Sequence, residues 1–343
     1  MDNAFVLASE HRPKAVAEAT GVPVIDLSPL CMSSESVEEL AIDVGKACRE
    51  WGFFLVVGHG VPKGTVLQAV EAGRAFFALP AGQKLALRRT QESPLVGYYD
   101  AEHTSGVRDW KEVFDMVPHE RPLEGAVKGE LVVENMWPDD DLPEFRHALA
   151  EYAKAIEDLA FKLLELIARS LNMRPDRLHG FFRDQTTILR LNHYPPCPSP
   201  ELALGISGHT DSGCMSILWQ DDVGGLDVRR RADGQWVRIM PVHHSFVVNI
   251  GDITQVWSND KYQSVEHRVS VNNRKGRLSI PFFFNPACYT TVQPLPEMVS
   301  EDPPKYNAYN WGEFYHFRRK ATCTKQDVQV NAETAQFKKD RTV

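Results

Sequence analysis

His209-Thr210-Asp211 offers an imidazole and a carboxylate two positions apart. In an extended segment, residues at that spacing project to one face, so both can reach one metal ion. A chain with 12 histidines carries such a pair by chance often enough that the pair alone decides little. The second imidazole is His267, in the alternating run Ser264-Val265-Glu266-His267-Arg268-Val269. Two histidines and one carboxylate are the donor set suited to Fe(II) with coordination positions left open. Zinc accepts the same set, but the ligands of HExxH-type hydrolases sit on helices, so iron ranks first.

Ten residues after His267 stands Arg277, in Arg277-Leu278-Ser279-Ile280-Pro281-Phe282-Phe283. Alternation puts Arg277, Ser279, Pro281 and Phe283 on one face of a strand apolar enough to be packed on both sides. A guanidinium held there is costly without an anion, and its planar fork matches a carboxylate. The plainer alternative is an arginine reaching solvent from a strand start; the Ser279 hydroxyl on the same face favours a carboxylate pocket. In Arg190-Leu191-Asn192-His193-Tyr194-Pro195-Pro196-Cys197-Pro198, Arg190, Asn192 and Tyr194 share a face, so Tyr194 can add a phenol donor to that carboxylate. A tyrosine that merely ends a strand before a proline turn is the structural alternative.

The elements that must hold these groups read as helices first and strands later. Ser34 to Arg49, residues 64 to 78 and Pro143 to Leu171 have helical periodicity; in the last, Phe145, Leu149, Tyr152, Ile156, Leu159 and Leu163 recur at steps of three and four. Val22 to Leu27 reads as a short strand and Trp51 to Val57 as a buried one. After about residue 185, short apolar runs alternate with Gly, Pro, Asn and Asp: Thr187 to Tyr194, Met215 to Trp219, Leu226 to Arg230, Trp236 to Ile239, Phe246 to Ile250, Gln263 to Val271 and Leu278 to Phe284. That texture predicts a sandwich or barrel with helices packed outside it. A helix and polar tail are predicted from Glu313 onward.

At 343 residues with 43% hydrophobic and 24% charged side chains, the chain can bury a large core. Its net charge of -8 is spread along the sequence, which argues against nucleic acid or an anionic membrane as partner. Six dispersed cysteines without a CxxC read as reduced thiols. No run approaches the about 18 apolar residues of a membrane span, and the N-terminus has no basic and apolar leader pattern. The expected location is the cytoplasm and the expected state a monomer.

The order N-x-Y-P-P-C-P, H-T-D, H-R-V and R-x-S resembles the plant 2-oxoglutarate/Fe(II)-dependent dioxygenase family, which includes flavonol synthases, anthocyanidin synthases and gibberellin oxidases. Val22 to Leu27 and Trp51-Gly52-Phe53-Phe54 resemble its N-terminal region; Val223-Gly224-Gly225-Leu226 and Asn249-Ile250-Gly251-Asp252 resemble loops of its catalytic core. One departure is Gly58, where the family usually has Asn. The resemblance implies a mixed, mainly β fold: a double-stranded β-helix (jelly-roll) core flanked by helices. It divides the chain into an N-terminal region (1–130), a core with the long helix (131–310) and a C-terminal helix and tail (311–343). It implies Fe(II) on His209, Asp211 and His267, and 2-oxoglutarate on Arg277, Ser279, Tyr194 and Asn192. O2 would be the other cosubstrate and ascorbate the reductant. The reaction would hydroxylate or desaturate a small organic metabolite, a plant-type specialised metabolite or hormone, releasing succinate and CO2.

Four further residues are expected at the substrate pocket: Phe283, on the Arg277 face; Val113 and Asp115, in a segment resembling the family strand that closes over the site; and Trp219, on a core strand. Asp115 there would pair with a cationic substrate, unless it is salt-bridged or solvated. The rivals are an ascorbate-dependent oxidase of the ethylene-forming branch, a zinc hydrolase, and a non-catalytic jelly-roll binding protein.

Overall fold

Alternating strands in the C-terminal half pair into two sheets whose inner faces meet. The computed structural model describes the chain except residues 14–15, 19–20, 32, 91–94, 105, 121, 124–130, 301, 324–333 and 340–343. The strands of these two sheets are β1 (Ala17–Glu18), β2 (Val24–Asp26), β3 (Phe53–Val57), β4 (Gly97–Tyr99), β5 (Glu112–Met116), β6 (Ile188–Tyr194), β7 (Leu204–His209), β8 (Met215–Gln220), β9 (Leu226–Arg229), β10 (Trp236–Arg238), β11 (Phe246–Ile250), β12 (His267–Ser270) and β13 (Arg277–Phe284). The larger sheet runs β2-β3-β11-β8-β13-β6-β5-β4 and the smaller β1-β10-β9-β12-β7. Strands from before residue 130 thus supply half of the larger sheet.

Register sorts the larger sheet's residues by face. Asn192 lies opposite both Ser279 and Val113, Ser216 opposite Phe283 and Asn249, and Asn249 opposite Phe53. These side chains share the inner face with Arg277, Tyr194 and Arg190. A small apolar cluster that includes Phe53, Leu55, Val247, Leu226 and Val228 joins the two sheets between their inner faces. The opposite face carries Phe114, Leu189, Ile217, Phe282 and Phe284, and packs on the helices α1 (Ser34–Glu50), α2 (Lys63–Ala78) and α3 (Phe145–Ser170). The α3 stripe that includes Tyr152, Ile156 and Leu163 is fully buried, each large side chain contributing about 1.5–3 kcal/mol. The jelly-roll core flanked by helices is therefore present.

Further helices include α4 (Asp252–Trp257), not anticipated from periodicity, and α5 (Trp311–Cys323). Residues 324–333 and 340–343 of the expected tail lie outside the described residues. Gly58 has φ +59°, a left-handed turn, and a Cβ there would collide with Asp26 Oδ1, so glycine suits the position in this chain. Cys48, Cys197, Cys214 and Cys288 are buried and unpaired, and no helix among the described residues is long and apolar enough to cross a membrane.

Candidate active site

His209 and His267 face each other as a cross-strand pair between β7 and β12, with ring centroids 4.2 Å apart. The pairing slips between Ile206 and His209, an irregularity that re-aims the strand end. Contrary to the strand reading of His209-Thr210-Asp211, β7 stops at His209 and Asp211 stands in the following turn. Its position comes from the larger sheet instead. Asp211 Oδ2 accepts hydrogen bonds from Ser216 Oγ (2.6 Å) and Asn249 Nδ2 (2.8 Å). Oδ1 is left 3.7 Å from Nε2 of both histidines.

Each imidazole is oriented from behind. His209 Nδ1 lies 2.9 Å from the Ser207 carbonyl and His267 Nδ1 3.2 Å from that of Val265. With the Nδ1 protons donated there, the Nε2 lone pairs face the carboxylate, the arrangement common to metal-binding histidines. Burial, with His267 next, pushes His209 well below the usual imidazole range, favouring the neutral ring that ligation needs. Burial opposes ionisation of Asp211, but the two imidazoles and the Ser216 and Asn249 bonds hold it below the usual carboxylate range. One donor atom from each residue lies within 4.8 Å of the other two, so the set fits a metal ion.

Arg277 is 2% exposed beside this cluster. Its Nη1 donates to Ser279 Oγ (3.0 Å), its Nη2 to Gln220 Oε1 (3.1 Å), and its guanidinium lies 5.1 Å from the Tyr194 ring. Nε is buried with no partner, and no carboxylate among the described residues makes an ion pair with the group. Such a guanidinium calls for an external anion, and a ligand carboxylate fits. Gly205 makes room for Tyr194: a Cβ there would sit 2.5 Å from the ring. Asn192, Tyr194, Arg277, Ser279 and Phe283 all border one cavity with the three metal-ligand candidates. A larger cavity, about 520 Å³, lies on the outer side of Arg277 beside α2, and the metal-ligand candidates are not among its walls.

Three pocket expectations need correction. Trp219 points to the helical face, where it packs on the main core; Leu218 and Ser216 line the cavity instead, because alternation on β8 runs opposite to the expectation. Asp115 is on the inner face but fully buried between Arg89 (2.5 Å) and Arg190 (2.6 Å), so it is not available to a cationic substrate. Val113 shares that face and is completely covered, without bordering the cavity. Ser216, Gln220, Lys111 and Phe53 were missed. Period-two alternation from Gln220 back through Leu218 to Ser216 would have found the first two; nothing local marks Lys111.

These features define a metal-dependent, carboxylate-binding jelly roll. A model of the 2OG-Fe(II) oxygenase superfamily matches residues 185–286, and one described as non-haem dioxygenase in morphine synthesis N-terminal matches residues 22–140. Jasmonate-induced oxygenase 1 of Arabidopsis thaliana is 38% identical over 318 residues, covering 90% of this chain and 75% of that protein. Oxoglutarate-dependent flavonoid 7-O-demethylase 1 of Ocimum basilicum is 32% identical, covering 91% and 81%. The crystal structure of JOX2 in complex with 2OG, Fe and JA superimposes with TM-score 0.78 at 33% identity, covering 93% of this chain and 89% of that one. The chain belongs to the 2OG-Fe(II) oxygenase superfamily and is a 2-oxoglutarate- and Fe(II)-dependent dioxygenase of small organic molecules.

Proposed function

We propose that His209, Asp211 and His267 hold the Fe(II), that Arg277 and Ser279 grip the far carboxylate of 2-oxoglutarate, and that Tyr194 and Asn192 border it. The observation that carries this reading is the convergence of three oriented donor atoms beside a buried guanidinium that, among the described residues, has no carboxylate in ion-pair contact. With both groups bound, 2-oxoglutarate is oxidised to succinate and CO2 while O2 oxidises a substrate C–H bond.

The chain's own part is positioning. Ser216 and Asn249 fix the Asp211 carboxylate, and the Ser207 and Val265 carbonyls fix the imidazoles. Gln220 and Ser279 aim the Arg277 fork. Phe283, half-buried and bordering the cavity beyond Ser279, packs on the organic substrate and keeps its reacting carbon in reach.

One relative is named as a flavonoid 7-O-demethylase and another as a gibberellin 20 oxidase, which supports a specialised metabolite or hormone as substrate. Ascorbate as reductant, a cytoplasmic location and a monomeric state belong to the same proposal; the buried, unpaired cysteines support a reducing compartment. Anaerobic titration with Fe(II) tests the assignment. Wild type should bind one ion per chain, and Asp211→Ala should lose binding and succinate formation with its circular dichroism unchanged. Full iron binding by that variant would overturn the assignment.

A further inference from the structure

Six ionisable side chains form a buried network at one side of the cavity: Arg89, Glu102, Asp109, Lys111, Asp115 and Arg190, each 8% exposed or less. Arg190 meets Asp115 through Nε (2.6 Å) and Nη2 (2.8 Å), and Glu102 through Nη1 (2.9 Å) and Nη2 (2.8 Å). Arg89 reaches the same two carboxylates. Lys111 Nζ lies 3.0 Å from Glu102 and 3.3 Å from Asp109. Among the described residues three cations face three carboxylates, so their charges balance, as burial at this depth favours.

Of the six, Lys111 and Arg190 also border the cavity that holds the metal-ligand candidates. An ammonium has three N–H donors and a guanidinium five. The contacts above use two of Lys111's and four of Arg190's, which leaves one donor on each. Most of the other substrate-side walls are apolar: Ile206, Leu218, Val269, Pro281 and Phe283, whose ring lies 6.0 Å from the Arg190 guanidinium.

We infer that the pocket takes an uncharged, largely apolar substrate whose oxygen acceptor, a carbonyl, hydroxyl or ether, docks on Lys111 and Arg190. The inference rests on the iron and 2-oxoglutarate assignments, which claim Asp211 and Arg277. An ionised carboxylate at Lys111 would compete with Glu102 and Asp109 and leave the buried wall with a net negative charge. An ammonium would find every carboxylate of the wall already paired. The acceptor instead completes the unspent donors without adding charge.

The test uses Fe(II)- and 2-oxoglutarate-loaded protein under anaerobic conditions and calorimetric binding of matched probes on one skeleton: 1-naphthylacetic acid, its methyl ester, 2-(1-naphthyl)ethylamine and 1-ethylnaphthalene. The ester should bind about tenfold tighter than the acid, the amine or the hydrocarbon, the margin one hydrogen bond supports. Lys111→Met paired with Asp109→Asn keeps the wall neutral and should narrow the ester's margin over the hydrocarbon to about threefold, with Arg190 still donating. Asp109→Asn alone gives the wall one positive charge and should improve the acid relative to the ester by about tenfold.

Tightest binding of the acid or amine by wild type would overturn the inference, as would equal binding of ester and hydrocarbon or no binding of any probe. An unchanged acid-to-ester ratio in Asp109→Asn would do the same. The visible absorption of the Fe(II)–2-oxoglutarate complex, recorded first, separates the two levels. Without it the iron assignment fails; with it, a wrong probe order counts against the charge argument alone.

Discussion

Arg277 holds its fork between Ser279, Gln220 and the Tyr194 ring, so the guanidinium is oriented before any ligand arrives. That separates it from Arg190, which lies on the same face but whose charge is already met by Glu102 and Asp115. Face and availability are different properties, and alternation reads only the first; Asp115 is the case where they diverge. Phe283 lies on the Arg277 face, further along β13 and at the substrate end of the cavity. Phe283→Ala should leave 2-oxoglutarate affinity near wild type while lowering the oxidised product formed per succinate, because a loosely held substrate no longer keeps its C–H bond in place. Counting both products in one reaction checks this. An unchanged ratio with an unchanged substrate KM would make Phe283 a core residue only.

At the scale of elements, strand alternation located β6, β8, β11 and β13 to within a residue or two, since each is short, apolar and bounded by turn formers. The turn that carries Asp211 was not legible, because its geometry is set by Ser216 and Asn249 on two neighbouring strands. The stretch leading into β5 is similar: Glu102, Asp109 and Lys111 are tied to the sheet by the ion network rather than by a local pattern. Asp109 is the strained member. Burial pushes its carboxyl from the ordinary 3.8 up to about 6, although Lys111 and Thr104 pull the other way. The folded state therefore holds this proton more tightly than the unfolded chain does. Its stabilising effect is complete below about pH 4 and is lost as pH rises through 6. The stability of wild type relative to Asp109→Asn should thus fall by about 2 kcal/mol between pH 4 and pH 7. Urea unfolding of both proteins at several pH values in that window checks the slope; a flat difference would contradict it.

Over the whole molecule, the larger sheet mixes strands from both ends of the sequence, with helices on one face and the candidate site on the other. That division was legible as two textures, helical periodicity early and punctuated strands late. The way β3 pairs with β11 and β5 with β6, far apart in the sequence, was not, because long-range pairing leaves no local pattern. His209, Asp211, His267 and Arg277 could be singled out as candidates, since costly buried groups stand out against an apolar background. The pocket wall could not, since its function depends on which charges neutralise which. The central claim is that one Fe(II) and one 2-oxoglutarate share this site, the latter anchored by Arg277. Anaerobic calorimetric titration of 2-oxoglutarate into wild type and Arg277→Lys, each with and without Fe(II), tests it most directly. Wild type should bind one equivalent, more tightly with iron present. Arg277→Lys should bind roughly ten- to a hundredfold more weakly, because an ammonium cannot reproduce the planar fork and a charge-assisted bond contributes about 1.5–3 kcal/mol. Binding indifferent to iron, or an unchanged affinity in Arg277→Lys, would contradict the account.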